Sequence, residues 1–385
     1  MALLNDFGLT EEQKLMRESL LSLAERMLPR DRIREMDENR EWPREAYQAL
    51  AKGGWLGLPY PEEYGGLGGS YKDIAVLLET LAYHYSGLAT TYMTTPVYSG
   101  VHILHSGSEE MKREYLPALI KGELYLCFAL TEPHTGSDAA GIKTNAVRQG
   151  DDFIINGAKC WITSAHVADY IVLVVKTDPD AVPAHNGFSK FLVPTNAKGV
   201  DIQPLDTVGR RTTHTNQIFL DDVRVPARNM IGAENKAWKA LMGGLNLERL
   251  AISANGAGGA QKALSLAQEY TKERVQFAQP ISDFQAIQHK LSDMRIKAEL
   301  ARLMAYRVAE MMDAGVDCRV ETSIAKIVGT ENDFDCANIG LQIMGAAGYS
   351  MEHEMQRMFR DTRLGPIGGG SNEIQRNIIA KSMGL

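Results

Sequence analysis

Glu248 is the side chain of this chain best suited by type and setting to act as a base. It sits in Leu245-Asn246-Leu247-Glu248-Arg249-Leu250-Ala251, one carboxylate in a largely apolar segment of helical texture. Dry surroundings push a carboxylate toward neutrality, which suits proton abstraction. A helix Glu paired with its neighbouring Arg is the plainer alternative. Far downstream, Ile367-Gly368-Gly369-Gly370-Ser371-Asn372-Glu373-Ile374-Gln375-Arg376 opens on glycines, and Gly369 cannot abstract a proton.

Two further runs suit a bound heterocycle. Leu130-Thr131-Glu132-Pro133-His134-Thr135-Gly136-Ser137-Asp138 sets small polar groups around a glycine turn. Such a run brings backbone N–H groups toward an anion or a ring. In Trp161-Ile162-Thr163-Ser164, strand alternation predicts Trp161 and Thr163 on one face. There a flat ring beside a hydroxyl can stack on and hydrogen-bond an isoalloxazine. A polar strand-to-loop junction and an amphipathic strand explain the same runs taken singly.

Thr271–Gln285 reads as a helix end, a turn at Pro280 and a new helix. Its Arg274 suits a pyrophosphate, although a lone Arg is more often a surface charge. Asn255-Gly256-Ala257-Gly258-Gly259-Ala260-Gln261 imitates a dinucleotide loop, but Gln261 stands where GxGxxG needs its third glycine. Close helix packing explains these small residues better. No metal is expected. His353-Glu354 starts a zinc-helix pattern that Arg357 breaks, and Cys127, Cys160, Cys318 and Cys336 form no CxxC pair.

The elements that must position these groups fall into three blocks. The 385 residues suffice for two or three domains and a large core, and the net charge of −7 argues against broad attraction to nucleic acid or anionic membrane. Residues 9 to about 120 read as helical, with Thr10 as a cap and Leu15, Leu20, Leu23 and Leu28 at helical spacing. The loop Pro59–Ser70 interrupts them. Strand texture begins near residue 125. Asn156-Gly157 predicts a two-residue hairpin, and further strands are expected at 169–177, 188–194, 200–205 and 216–225. From about residue 236 the helical period returns, with Leu291, Met294, Leu300, Leu303, Met304 and Met311 expected on a buried face. The expected domains are 1–122, 123–235 and 236–385. MALLNDFGLTEEQ has neither a secretory nor a mitochondrial leader pattern, and the thiols suit a reducing compartment, so the expected location is cytoplasmic.

In this order and spacing the motifs resemble the acyl-CoA dehydrogenase family over nearly the whole chain. Tyr64-Gly65-Gly66, Thr131-Glu132-Pro133 with Gly136-Ser137-Asp138, Trp161-Ile162-Thr163, Arg274–Gln285 and Gln342-Ile343-Met344-Gly345-Ala346-Ala347-Gly348-Tyr349 carry the likeness. It implies an α+β multidomain fold: an N-terminal α-helical domain, a central β-barrel-like domain and a C-terminal four-helix bundle, in a homotetramer. It implies FAD, an acyl-CoA thioester, electron-transfer flavoprotein as oxidant, and a place in fatty-acid β-oxidation.

By the same resemblance, Leu130, Thr131, Trp161 and Thr163 contact the flavin ring, and Ser137 lies near the FAD pyrophosphate and the CoA arm. Arg274, Phe277, Gln285 and Gln342 hold the adenosine portion across a subunit boundary. Ser371 and Glu373 approach the cofactor from the C-terminal loop. Asn246 and Arg249 line the thioester-CoA channel, and Gly368 and Gly369 widen one wall of the acyl cavity. Ala278 and Ala346 stand where the family usually has Gly, and Glu373 replaces a frequent Gln. Many members place the catalytic Glu where Gly369 stands; the isovaleryl- and long-chain-like branch carries it in Leu-x-x-Glu-Arg, which Glu248 matches.

The resemblance thus implies α,β-dehydrogenation to a trans-2-enoyl-CoA, with Glu248 as base and room for a branched, cyclic or bulky acyl group. Acyl-CoA oxidase, flavin monooxygenase, enoyl-CoA reductase and a non-enzymatic FAD- or CoA-binding assembly protein remain the alternatives.

Overall fold

A computed structural model describes residues Asp6–Leu385; Met1–Asn5, the start of the run read for a leader, lie outside the described residues. Helix α1 (Glu11–Met27) begins at a reciprocal cap. The Gln13 N–H donates to Thr10 Oγ1 at 3.2 Å, and the Thr10 N–H donates to Gln13 Oε1 at 3.1 Å. Leu20, Leu23 and Leu28 are buried as expected. Leu15 is exposed, because it falls off that apolar stripe. Next come α2 (Arg30–Asn39), α3 (Arg44–Lys52) and the long α4 (Tyr71–Tyr92), which Ser70 and Asp73 cap in the same way. The chain then widens into a π-helical stretch, Met93–Gly100, containing Pro96. Pro has no N–H for a regular helical ladder, and such widened turns occur often at functional sites. Helices α5 (Val101–Ser106) and α6 (Glu109–Ile120) complete this block.

Seven strands form the central sheet: β1 (Leu126–Ala129), β2 (Asn145–Gln149), β3 (Asp152–Thr163), β4 (Tyr170–Lys176), β5 (Phe188–Pro194), β6 (Val200–Leu205) and β7 (Thr215–Pro226). The order is β1-β4-β2-β3-β7-β6, with β5 added on β4. The hairpin expected at Asn156-Gly157 is not there. The turn lies at Gly150-Asp151, where Gln149 pairs with Asp152, and β3 runs straight through Asn156-Gly157. Asn156 instead works across strands. Its side chain donates to Asp222 Oδ1 at 2.9 Å and accepts from the Asp222 N–H at 2.8 Å, holding a bulge in β7.

A second bulge falls at Cys160-Trp161, between the Lys159–Ile218 and Ile162–Asn216 pairs. Trp161 takes φ +65° there and is 60% exposed. Simple alternation therefore does not describe Trp161 and Thr163: the bulge re-aims the indole outward, while Thr163 is half-buried.

The carboxy-terminal block is built on α7 (Ala237–Glu273), whose 37 residues span about 55 Å. It packs against α8 (Gln285–Asp313), α9 (Arg319–Met344) and α4. Its glycines permit this closeness: a Cβ on Gly256 would lie 2.5 Å from the Gly329 carbonyl oxygen, and one on Gly258 would strike that of Glu79. The glycine run that imitates a dinucleotide loop is thus a helix-packing seam. Between α7 and α8, β8 (Val275–Gln276) and β9 (Gln279–Pro280) make a small hairpin, turned by Phe277 and Ala278 at φ +52° and +62°. Helices α10 (Ala346–Tyr349), α11 (Glu354–Thr362) and α12 (Asn372–Ser382) follow.

On α8, Met294 is buried, but Leu300 and Leu303 are 47% and 64% exposed, contrary to the buried face expected of them. With Ile296 they form an outward apolar stripe. All four cysteines are buried free thiols. Among the described residues no helix is long and apolar enough to cross a membrane, and no His/Cys/Asp/Glu group is arranged to hold a metal.

Candidate active site

Helix α7 presents Gly244, Glu248 and Ile252 along one stripe, since residues four apart share a helix face. Gly244 lies against the His102 ring of α5, 3.1 Å from where its Cβ would be. At the other end of the stripe lies the loop between α11 and α12. A Cβ on Gly369 would stand 3.6 Å from Glu248 Oε1 and would press into Ile252 Cδ1. Gly369 holds φ +65°, a conformation natural to glycine. Residues 121 positions apart thus address one point in space. The Gly369 N–H has no hydrogen-bond acceptor among the described residues.

The loop is tied down on its far side. The Asn372 N–H donates to the Pro366 carbonyl at 2.9 Å, and Gln375 Nε2 donates to the Gly370 carbonyl at 3.0 Å. Ser371 caps α12 through the Ile374 N–H.

Burial raises the Glu248 carboxyl to about 7, and Arg249 and Lys326 pull against that rise. Arg249 is buried, its Nε finds no partner, and burial lowers its pKa. Tyr98, delivered by the π-helical stretch, has its phenol pushed well above the ordinary value by burial and then by Glu248. The result is a base poised near neutral pH between an arginine and a phenol. Asn246, one turn-half before Glu248, is half-buried.

The second cluster lies on the sheet. The Cys160 N–H donates to the Thr131 carbonyl at 2.9 Å, which brings the Leu130–Asp138 run beside the Trp161 bulge. Lys159, fully buried, donates to the Leu130 carbonyl and to Glu132 Oε1, both at 2.8 Å. Glu132 also accepts from the Lys143 and Thr144 N–H groups at 2.7 and 2.9 Å. Burial acts to raise the Glu132 carboxyl, but Lys159 and those N–H groups outweigh it and hold it low. Burial lowers Lys159 to about 8, against the pull of Glu132. The pair is one locked ion pair beneath the loop that offers Thr131 half-buried and Ser137 exposed.

The third cluster is remote. Arg274, Phe277, Gln285 and Gln342 are all exposed at the far end of α7, around the β8–β9 hairpin and the end of α9. Arg274 follows Glu248 by 26 residues, about 39 Å of helix. One chain therefore does not bring this set to the Glu248 stripe.

Motif reading missed Tyr98, Ile252, Lys159 and Lys326. Only Lys326 left a sequence signal, a lone cation within Ile324-Ala325-Lys326-Ile327-Val328.

Comparison with known proteins agrees with this arrangement. Sequence families described as acyl-CoA dehydrogenase N-terminal, middle and C-terminal domains match residues 10–123, 127–223 and 235–384. The probable acyl-CoA dehydrogenase YngJ of Bacillus subtilis is 37% identical over 98% of this chain and 99% of its own. Subunit CarC of the caffeyl-CoA reductase-Etf complex of Acetobacterium woodii is 36% identical over 96% and 98%. The crystal structure of an acyl-CoA dehydrogenase from Geobacillus kaustophilus superposes with a TM-score of 0.94 at 33% identity, covering 98% of this chain and all of the other. A helical block, a curled central sheet and a helical bundle in this order, carrying a buried carboxylate on α7, make this chain a member of the acyl-CoA dehydrogenase family of oxidoreductases.

Proposed function

We propose that this chain is an FAD-dependent enzyme that converts an acyl-CoA to a trans-2-enoyl-CoA, with Glu248 as the base. One observation carries the reading: Glu248 and Gly369 meet, so the carboxylate fills the place that a side chain at 369 would otherwise address. In the mechanism, Glu248 takes the α-proton of the thioester onto a carboxylate oxygen as the Cα=Cβ bond begins to form. The unpaired Gly369 N–H is suited to donate to the thioester carbonyl as negative charge grows on its oxygen. Ile252 and Tyr98 help keep water from the base.

The donor set fits FAD. The outward indole of Trp161, the Thr131 and Thr163 hydroxyls and the Leu130 backbone would hold its ring, and Ser137 its pyrophosphate. Ser371 and Glu373 would approach from their loop, and Arg274, Phe277, Gln285 and Gln342 would hold the adenosine half. FAD supplies, when bound, the acceptor for the β-hydrogen leaving as hydride. The span of about 39 Å along α7 favours a second copy as provider of the adenosine set, consistent with a homotetramer. Asn246 and Arg249 would line the CoA channel. The domains are 1–122, 123–235 and 236–385, the enzyme works in the cytoplasm, and electrons pass to electron-transfer flavoprotein.

Gly368 and Gly369 leave one wall without side chains, which favours branched or bulky planar acyl groups. A second reading is favoured by the name of CarC: the same site run backwards, reducing an arylacryloyl-CoA. Anaerobic titration of the flavin with butanoyl-, isovaleryl- and 3-phenylpropanoyl-CoA tests both. Bleaching by a bulky thioester is the expected outcome; no bleaching, with re-oxidation of reduced enzyme by cinnamoyl-CoA, selects the reductase. Glu248→Gln should keep its flavin yet bleach about 100- to 10,000-fold more slowly. Full activity in that variant removes Glu248 as the base.

A further inference from the structure

We propose that Lys326 is a positioning residue for the base: through Asn372 its ammonium fastens the Gly368–Ser371 loop against the Glu248 face of α7, and its charge keeps Glu248 in the proton-accepting form. The inference rests on the reading of Glu248 as base.

Lys326 lies in the middle of α9 and is fully buried. Its Nζ donates to Asn372 Oδ1 at 2.8 Å, and no carboxylate stands within ion-pair distance among the described residues. A buried ammonium held only by an amide oxygen is costly, so its field is not cancelled locally.

Two chains of contacts lead from it to the site. Asn372 opens α12, hydrogen-bonds to Thr330 Oγ1 at 3.2 Å and Glu331 Oε1 at 3.1 Å, and ties its own N–H to Pro366. That fixes the start and end of the loop whose Gly369 abuts Glu248. Next to Lys326, the Ala325 carbonyl accepts from Ser253 Oγ at 2.9 Å, which locks α9 to α7 one turn beyond Glu248 and Arg249.

The groups facing this centre come from every wall: Arg249 on α7, Tyr98 on the π-helical stretch, Lys326 and Glu331 on α9, and Glu373 on α12. Burial lowers the Lys326 ammonium to about 8, and Glu248 is the group that most opposes this, while Arg249 adds to it. Lys326 and Arg249 both oppose the upward push that burial exerts on Glu248. Two cations against one carboxylate thus hold the base near neutrality although it is dry.

The test uses the flavin-loaded protein and the thioester from the panel of butanoyl-, isovaleryl- and 3-phenylpropanoyl-CoA that bleaches it fastest. The rate of bleaching is followed from pH 5.5 to 9.5 in Lys326→Met, Lys326→Arg and Asn372→Asp. Asn372→Asp keeps the contact but pairs the ammonium with a carboxylate, so it screens Glu248 without removing the lysine. In both Lys326→Met and Asn372→Asp the profile should move to higher pH, with a rate about tenfold lower at pH 7 that recovers toward pH 9. Lys326→Arg should stay near wild type.

A second readout is the difference in thermal stability between each protein and its Glu248→Gln double variant, whose pH midpoint should rise in parallel. Profiles that fall equally at every pH, or unmoved midpoints, overturn the role of Lys326. Undiminished turnover in Glu248→Gln alone overturns the base assignment instead.

Discussion

Glu248 makes opposite demands on stability and chemistry. Its carboxyl rises from 4.5 to about 7 on folding because the surrounding protein desolvates it. The folded chain then binds this proton more tightly than the unfolded chain. The stability contributed is full below the ordinary carboxylate range and is lost as pH rises through about 7. Activity runs the other way, since only the ionised form accepts a proton, and turnover should climb through the same interval. Glu248→Gln should therefore match wild type in stability near pH 4.5 and exceed it by roughly 2–3 kcal/mol at pH 8. Chemical denaturation at the two pH values measures this. An equal margin at both would show that Glu248 is not desolvated.

Among the elements, the bulged strand β3 does most to shape the flavin-facing surface. Its Cys160-Trp161 bulge turns the indole outward, and its Lys159 reaches beneath the Leu130–Asp138 run to pair with Glu132. Lys159→Met would leave the Glu132 carboxylate buried with only the Lys143 and Thr144 N–H groups. Breaking such a pair costs about 3–5 kcal/mol. Urea denaturation should show that loss, and the purified variant should carry less bound flavin. Adding Glu132→Gln should restore part of the stability, because the stranded charge is then gone. A Lys159→Met protein with unchanged stability and flavin content would mean that the loop does not depend on the pair.

For the whole molecule, the outward stripe Ile296, Leu300 and Leu303 on α8 is exposed in a single chain. The exposed Phe277 lies beyond the start of the same helix. Apolar faces of this kind usually mark association surfaces. If copies assemble through it, Leu300→Glu with Leu303→Glu should yield smaller species in sedimentation and release flavin, with the Glu248 site of each chain intact. A double variant that sediments as wild type assigns assembly to another face.

Chain order and element type were legible because they rest on local chemistry. The Thr10 cap, the strands near 170–176, 188–194 and 200–205, and the return of helix at α7 follow from propensity and periodicity within a few residues. The motifs carried the family for the same reason: each is a short run. What failed was whatever depended on distant partners. Asn156-Gly157 looks like a turn locally, but the Asp222 bulge on β7 claims the Asn side chain. Leu300 and Leu303 look like core, yet α7 and α9 cover only the opposite side of α8. Glu248 could be named from its own segment; its poise near neutrality could not. That value comes from a glycine 121 positions away, a lysine on α9 and a phenol on a π-helical turn. The sequence by itself determined which residue types were available and in what local frames. Tertiary structure alone decided their protonation and company, because desolvation and Coulomb forces act through space between segments that the chain holds far apart in order.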